Sequence, residues 1–350
     1  MNVSLREANE LTRHPAFFGK IKGDLILYSY HFADPTVYNN NDTARELRGI
    51  VFDRNTGEIV ARPFPKFFNL GEQNCSVKET DVVTSNEKID GSLIFAFIHN
   101  DNIMLASKGS FDSDVVVKAR QIINDNYIQL IRDLYKKGYT AIFELVDAGN
   151  PIVIQYPYTE LILIGARKNS DGSMVTPEEI AELGKKYKVK YSGIKYRGTA
   201  GSVKAKLSGL EGIEGVVGYK NSHEICKIKT RWYLKLHKFN PYGLTDKNIK
   251  EAFFNQELDD IYPNLSPTAR ARVDKIVGQI TKRIKNKSNK VREFLERHSD
   301  ITDRKEFALL LKKEIENKRE HWIYFQVRFN NKPIEKTVFD YLKKALLHTS

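Results

Sequence analysis

Lys88-Ile89-Asp90-Gly91-Ser92 sets a lysine two residues ahead of an aspartate on a glycine turn. A lysine amine attacks phosphorus only as the neutral base, and its ordinary pKa of about 10.4 keeps it protonated at neutral pH. A nucleophilic Lys88 therefore needs neighbouring cations or a metal ion to lower that value. On an extended segment Asp90 shares a face with Lys88, where it can orient the amine or hold metal-bound water. Gly91 lets the backbone turn closely past a ligand.

Alone, a K-x-D-G tetrad is a weak signal, but here it heads an ordered series. Ser107-Lys108-Gly109-Ser110, Phe143-Glu144-Leu145, Glu214-Gly215-Val216-Val217 and Lys227-Ile228-Lys229 follow in that order. Glu144 interrupts the apolar run from Ala141 to Val146, where a carboxylate is costly to bury unless a cation or hydroxyl donors compensate it. Lys227 and Lys229 alternate with Cys226 and Ile228, so one strand face presents two ammonium groups while the other packs. Two adjacent like charges favour an anion between them.

These five blocks resemble the motif series of covalent nucleotidyltransferases, the superfamily of ATP-dependent ligases and messenger RNA capping enzymes. A narrower resemblance rests on Arg48-Gly49-Ile50-Val51-Phe52, Lys66-Phe67-Phe68-Asn69-Leu70 and Trp232-Tyr233-Leu234-Lys235-Leu236-His237. With these, residues 44 to 240 look like phage RNA ligases of the RNA ligase 1 family. The resemblance implies that Lys88 attacks the α-phosphorus of ATP and becomes AMP-linked, that AMP passes to an RNA 5′-phosphate, and that a 3′-hydroxyl then displaces it.

It also distributes roles. Lys88, Asp90, Lys227 and Lys229 form the catalytic set, with the last two on the α-phosphate, where they also depress the pKa of Lys88. Glu144 takes the ribose, Glu214 and Asp90 hold Mg2+ (or Mn2+), and Arg48, Lys66 and Lys108 contact the triphosphate or the α-phosphate. Glu87 accepts from the adenine amino group, which favours ATP over GTP. One departure is visible: where the superfamily carries an aromatic that stacks on the base, Leu163-Ile164-Gly165-Ala166-Arg167 offers aliphatics and an arginine. The implied partner is RNA with 5′-phosphate and 3′-hydroxyl ends, single-stranded or a broken tRNA loop, joined by a monomer in RNA repair.

Other signals fail. Gly209, Gly212 and Gly215 have neither dinucleotide-binding nor phosphate-loop spacing. His223 and His237 lack metal-ligand spacing.

The elements that must position these residues are readable in outline. The 350 residues, 41% hydrophobic and 29% charged, suffice for two domains with ordinary cores. A net charge of +12 and a pI near 9.3 favour a polyanionic partner. No membrane span or signal peptide is legible, which leaves the cytoplasm as the expected compartment. Cys75 and Cys226 are too few for a disulfide framework and read as reduced packing residues, Cys226 facing away from Lys227 and Lys229.

From residue 24 to 237 the chain reads as short strands: Leu25–Tyr28, Gly49–Phe52, Leu93–Phe97, Ala141–Phe143 and Leu161–Ile164, with turns at Asn55-Thr56-Gly57 and Asp171-Gly172. One helix is expected near Asp114 to Lys136, with Val117, Ala119, Ile122, Ile123, Ile128 and Ile131 inward. Another is expected after the Thr176-Pro177-Glu178-Glu179 cap. Beyond Pro241-Tyr242-Gly243 the periodicity turns helical, with starts at Ser266-Pro267, Thr302 and Pro333.

The expectation is thus an α+β, antiparallel-sheet nucleotidyltransferase domain at 1–240 and an all-α domain at 241–350 that recognises RNA. The cluster Lys282, Arg283, Lys285, Lys287, Lys290 and Arg292 reads either as a solvated helix face or as an RNA contact. DNA ligases and capping enzymes are the nearest rival readings, but they append a small β-barrel where this sequence turns helical. A non-catalytic RNA-binding protein is the rival from outside enzymology.

Overall fold

The computed structural model describes residues 3–31, 35–149, 154, 156–238, 245–256, 258–262 and 267–347. The chain divides into two compact units, Met1–Asn240 and Pro241–Ser350. The Pro241-Tyr242-Gly243 punctuation and Ser266 lie outside the described residues, as does the side chain of His237.

In the first unit the strands are β1 (Phe17–Lys22), β2 (Leu25–Tyr30), β3 (Ile50–Asp53), β4 (Ile59–Ala61), β5 (Val82–Lys88), β6 (Ser92–His99), β7 (Asn102–Ser107), β8 (Tyr139–Val146), β9 (Glu160–Lys168), β10 (Ile194–Thr199), β11 (Gly215–Tyr219) and β12 (Ile225–Lys229). Among the described residues they form three four-stranded sheets, ordered β1-β2-β3-β4, β10-β5-β11-β12 and β7-β6-β8-β9. Every pairing within them is antiparallel. The α+β architecture expected from the sequence is the one observed.

The helices of this unit are α1 (Leu5–Leu11), α2 (Asp42–Glu46), α3 (Asp114–Ile122), α4 (Asp125–Lys136), α5 (Pro177–Tyr187), α6 (Ala200–Leu207) and α7 (Arg231–Lys238). α3, α4 and α5 cover β6, β8 and β9 around a core that includes Leu130, Ile131, Leu134, Ile142, Phe143 and Ile180. Leu25, Leu27 and Val51 of the first sheet pack on Phe95, Phe97 and Ala106 of the third. β5, β11 and β12 pack on α6 through Val83, Val216, Ile228, Val203 and Leu207.

The single helix expected over 114–136 is two. Ile123 turns extended (ψ 130°), and the Asn124 side chain accepts from Asn126 N, capping α4. A short polar side chain competes with the helix for its own backbone, so the break falls there. Val116 rather than Val117 is buried on α3. Thr176 and Glu179 form the expected capping box on α5.

The described elements of the second unit are helical: α8 (Asp246–Asn255), α9 (Leu258–Ile261), α10 (Pro267–Arg297), α11 (Arg304–Glu314), α12 (His321–Asn330) and α13 (Ile334–Leu347). Val273, Ile276, Val277, Ile280 and Ile284 of α10 are buried as their spacing predicts. Asp303, not Thr302, caps α11, its carboxylate accepting from Lys305 N and Glu306 N. Of the basic cluster on α10, Lys287 and Arg292 pair with Glu320 and Glu335. Lys282, Arg283, Lys285 and Lys290 are exposed. No helix is long and apolar enough to cross a membrane among the described residues.

Candidate active site

β5 ends at Lys88 and β6 begins at Ser92, so Ile89-Asp90-Gly91 carries the chain from the second sheet to the third. Ile89 packs on Val146 and Ile162 and anchors the turn. A Cβ on Gly91 would lie 2.4 Å from Leu145 O and 3.0 Å from Glu144 Cγ. The room this glycine provides is therefore taken by β8, not by a ligand as the sequence led us to expect.

Register then brings distant residues together. β11 lies between β5 and β12, and Gly215 pairs with Lys88 on one side and with Lys229 on the other. Gly215 adopts φ +148°, and a Cβ there would meet Ile228 O at 2.1 Å, so only glycine fits. Glu214, just before it, reaches both neighbours: Oε2 is 2.7 Å from Lys88 Nζ and Oε1 is 3.0 Å from Lys229 Nζ. The Glu214 carboxylate is 2% exposed. An ammonium held by a carboxylate has no lone pair for phosphorus, so Lys88 must give up a proton before it can act as a nucleophile.

Asp90 is tied down from three directions. Oδ1 accepts from the Tyr233 hydroxyl at 2.8 Å, Oδ2 accepts from Ile154 N at 2.8 Å, and Asp90 N donates to the Tyr156 hydroxyl at 3.2 Å. Tyr233 itself is buried, and the Lys229 Nζ lies 5.0 Å from its ring centroid. This bonding fits a residue that fixes the turn bearing Lys88 better than it fits a metal ligand, the other role expected of it.

Lys227 is largely buried with its Nζ 5.1 Å from the Phe67 ring. Its backbone holds the Lys66–Leu70 segment: Lys227 N donates to Phe68 O and Leu70 N to Lys227 O, both at 2.9 Å. Lys66 lies 5.5, 5.6 and 5.8 Å from the rings of Tyr30, Tyr38 and Phe68, and Lys108 lies 4.3 Å from Tyr30. One buried tyrosine thus holds both lysines by cation–π attraction. Arg48 Nη1 donates to Phe64 O at 3.4 Å.

Glu144, on β8 opposite Leu93, keeps some solvent contact but lies deep among protein atoms. Burial pushes its carboxyl up to about 8, the positive charge of Lys88 opposing and Glu214 reinforcing the rise, with Arg48 and Asp90 also within range. Glu87 is turned toward Lys195, whose Nζ is 2.8 Å from Oε2.

Arg167, standing where an aromatic was expected, is a structural residue. Its guanidinium clasps Glu46 at 2.6 and 2.7 Å, and Arg62 adds a third contact at 3.2 Å. It cannot double as a stacking surface for a base. Cys226 is buried in the core of β5, β11 and β12, on the side away from Lys227 and Lys229, and Cys75 packs against the same core.

Lys88, Glu214 and Lys229 therefore meet directly. Asp90 joins them through Tyr233, Glu144 feels their charges, and Lys66 and Lys108 share Tyr30. Tyr233, Tyr30, Tyr156 and Lys195 were not singled out in the sequence. Only Tyr233 left a trace there, as part of the block after Lys229.

A sequence model of the family described as RNA ligase matches residues 46–242. The chain belongs to the RNA ligase family. It is 30% identical over 334 residues to a Thermovibrio ammonificans protein assigned as an RNA ligase, covering 89% of this chain and 86% of the relative. RNA ligase 1 of bacteriophage TS2126 is 27% identical over 281 residues, 74% of this chain and 68% of the phage protein. Among solved structures, an archaeal ATP-dependent RNA ligase superposes with a TM-score of 0.50 at 16% identity, over 81% of this chain and 79% of that one. At that identity the likeness speaks for the fold.

Proposed function

We propose that this RNA ligase family member joins RNA ends at the expense of ATP through a lysyl-AMP on Lys88. The observation that carries the reading is the single point at which Lys88 Nζ, Glu214 and Lys229 Nζ converge. In the first step the neutral amine of Lys88 attacks the α-phosphorus in line and pyrophosphate leaves. AMP then passes to an RNA 5′-phosphate, and a 3′-hydroxyl displaces it to close the phosphodiester. Such transfers ask mainly for positioning and for cations around developing charge.

Lys227 and Lys229 supply cations to the α-phosphate. Arg48, Lys66 and Lys108 hold the other phosphates, Lys66 and Lys108 steadied by Tyr30. Glu144 binds the ribose, and its protonation by burial makes it a hydrogen-bond donor as well as an acceptor. Glu87 reads the adenine amino group once Lys195 yields it. Glu214 offers a buried carboxylate oxygen, the hard donor that Mg2+ or Mn2+ takes. A divalent ion held there would neutralise charge on the phosphate oxygens.

The first unit carries adenylylation and the second recognises RNA. Its substrate class is RNA with 5′-phosphate and 3′-hydroxyl ends, single-stranded or a cleaved tRNA loop, repaired by a monomer in the cytosol. Exposed Lys282, Arg283, Lys285 and Lys290 contribute phosphate contacts, so reversing their charge should weaken RNA binding and flatten its salt dependence.

Intact mass after incubation with ATP and magnesium tests the core of the reading. A gain of one adenylyl group, absent in Lys88→Ala, is the expected result. No gain in the wild-type chain would leave the non-catalytic RNA-binding reading, and transfer of GMP in preference to AMP would remove Glu87 from its role.

A further inference from the structure

Tyr324, Phe325 and Phe329 of α12 lie against Phe294 and Phe307. Trp322 on the same helix does not follow them and remains 37% exposed. An indole is among the largest apolar surfaces a protein has, and one left in water asks for an explanation. Two ammonium groups gather on it: Lys332 Nζ, just beyond α12, lies 5.9 Å from the ring centroid, and Lys344 Nζ, in the last turn of α13, lies 5.4 Å away. Lys287, Arg292 and Lys336 of the same unit each pair with a carboxylate. No described carboxylate pairs with Lys332 or Lys344.

Cation–π attraction to one ring gains about 0.5–1 kcal/mol at an exposed site and does nothing to relieve the repulsion between the two lysines. An anion would. A flat π-face flanked by two unpaired ammonium groups matches one structural unit of a nucleic acid, a base with the phosphates on either side of it. We propose that Trp322, Lys332 and Lys344 form a clamp for single-stranded RNA, with a nucleobase stacked on the indole and its flanking phosphates on the two lysines. The proposal rests on the RNA ligase reading for the identity of the strand. A duplex keeps its bases inside the stack and cannot offer one to the ring, so the clamp selects unpaired RNA.

The test uses the full chain with Trp232→Phe, which leaves Trp322 as the sole tryptophan. Titration with a 5′-phosphorylated oligoadenylate at low salt should quench Trp322 emission, while a duplex RNA of equal length should not. Trp322→Ala should weaken single-strand binding by about 5- to 150-fold, the range found for single stacked bases. Trp322→Phe should retain most of the affinity, and Lys332→Glu with Lys344→Glu should weaken binding and reduce its salt slope. Adenylylation of Lys88 by ATP should be the same in the Trp322, Lys332 and Lys344 variants as in the chain that carries them.

Unchanged emission with single-stranded RNA, or equal quenching by duplex, would overturn the clamp. So would wild-type RNA affinity in Trp322→Ala. Quenching by single-stranded RNA in the Trp232→Phe chain, beside a wild-type chain that never accepts an adenylyl group, would sink the ligase reading while sustaining the clamp.

Discussion

Glu46 and Glu214 are both buried carboxylates gripped by two cations within the first unit, and the identity of the cations separates them. Glu46 sits between Arg62 and Arg167, with side-chain exposures of 0 to 5% across the three. The spare N–H groups are used too: Arg167 donates to Gly172 O and Pro63 O, and Arg62 to Asn169 O. Burial alone would push Glu46 up, but Arg167 and Arg62 overcome it and hold its carboxyl below the usual range. A guanidinium does not shed its proton in a protein, so this cluster is the same at every physiological pH.

Glu214 has the same count of partners, but they are lysines on flexible stems, and Lys88 is 18% exposed. A lysine can lose its proton or swing away. Arginines make a buried carboxylate a fixture, whereas lysines leave it a partner that can be released.

The contrast yields its largest effect at Lys88. Lys88→Arg keeps a cation for Glu214 but removes the amine that can become neutral. Intact mass with ATP and magnesium should show no adenylyl adduct, with thermal stability near wild type. An adduct in this variant would mean that the nucleophile lies elsewhere. Glu214→Gln should follow, with adenylylation slowed about 10²-fold or more under single turnover, because the group that gathers the two lysines, and that we propose as the oxygen donor to the metal, is gone.

Glu46→Ala should do the opposite. It strands two buried guanidinium groups and should cost about 3–5 kcal/mol, read as a lowered urea midpoint. Glu214→Ala should cost less, since Lys88 is 18% exposed and its flexible stem can turn the ammonium to water. Equal losses in the two alanine variants would abolish the distinction.

The same contrast marks what the sequence disclosed. Lys88, Asp90 and Gly91 are chain neighbours, and the spacing of Lys227 and Lys229 fixes their shared face, so both were legible. Strands with clear apolar runs, such as β6 and β8, were legible for the same reason. That Glu214 touches both lysines depends on β11 lying between β5 and β12, a register no local pattern encodes; only the ordered motifs pointed to it. Arg167 read as a gap in a stacking surface because its partner, Glu46, is on a different element. Tyr30, Tyr156 and Lys195 act through equally distant partners. At Asp303 the adjacent Thr302 offers a rival cap, and at Asn124 the cap falls inside a run whose apolar spacing reads as one helix, so spacing alone placed neither boundary.

Glu144 gives the smallest effect and the finest test, because its charge depends on the exchangeable centre. Its carboxyl is raised to about 8, chiefly by burial, whereas in the unfolded chain it titrates near the ordinary value of about 4.3. Between those values the native protein holds a proton that the unfolded chain has released, so Glu144 makes stability fall as pH rises across that window. Glu144→Gln removes the titration. Its melting temperature, measured against wild type from pH 5 to 8.5 without nucleotide, should gain on wild type by on the order of a few degrees toward the alkaline end. Lys88 opposes the shift, so removing that charge with Lys88→Met should steepen the wild-type slope further. A melting-temperature difference flat with pH would show that Glu144 is already ionised and that Lys88, not burial, governs it.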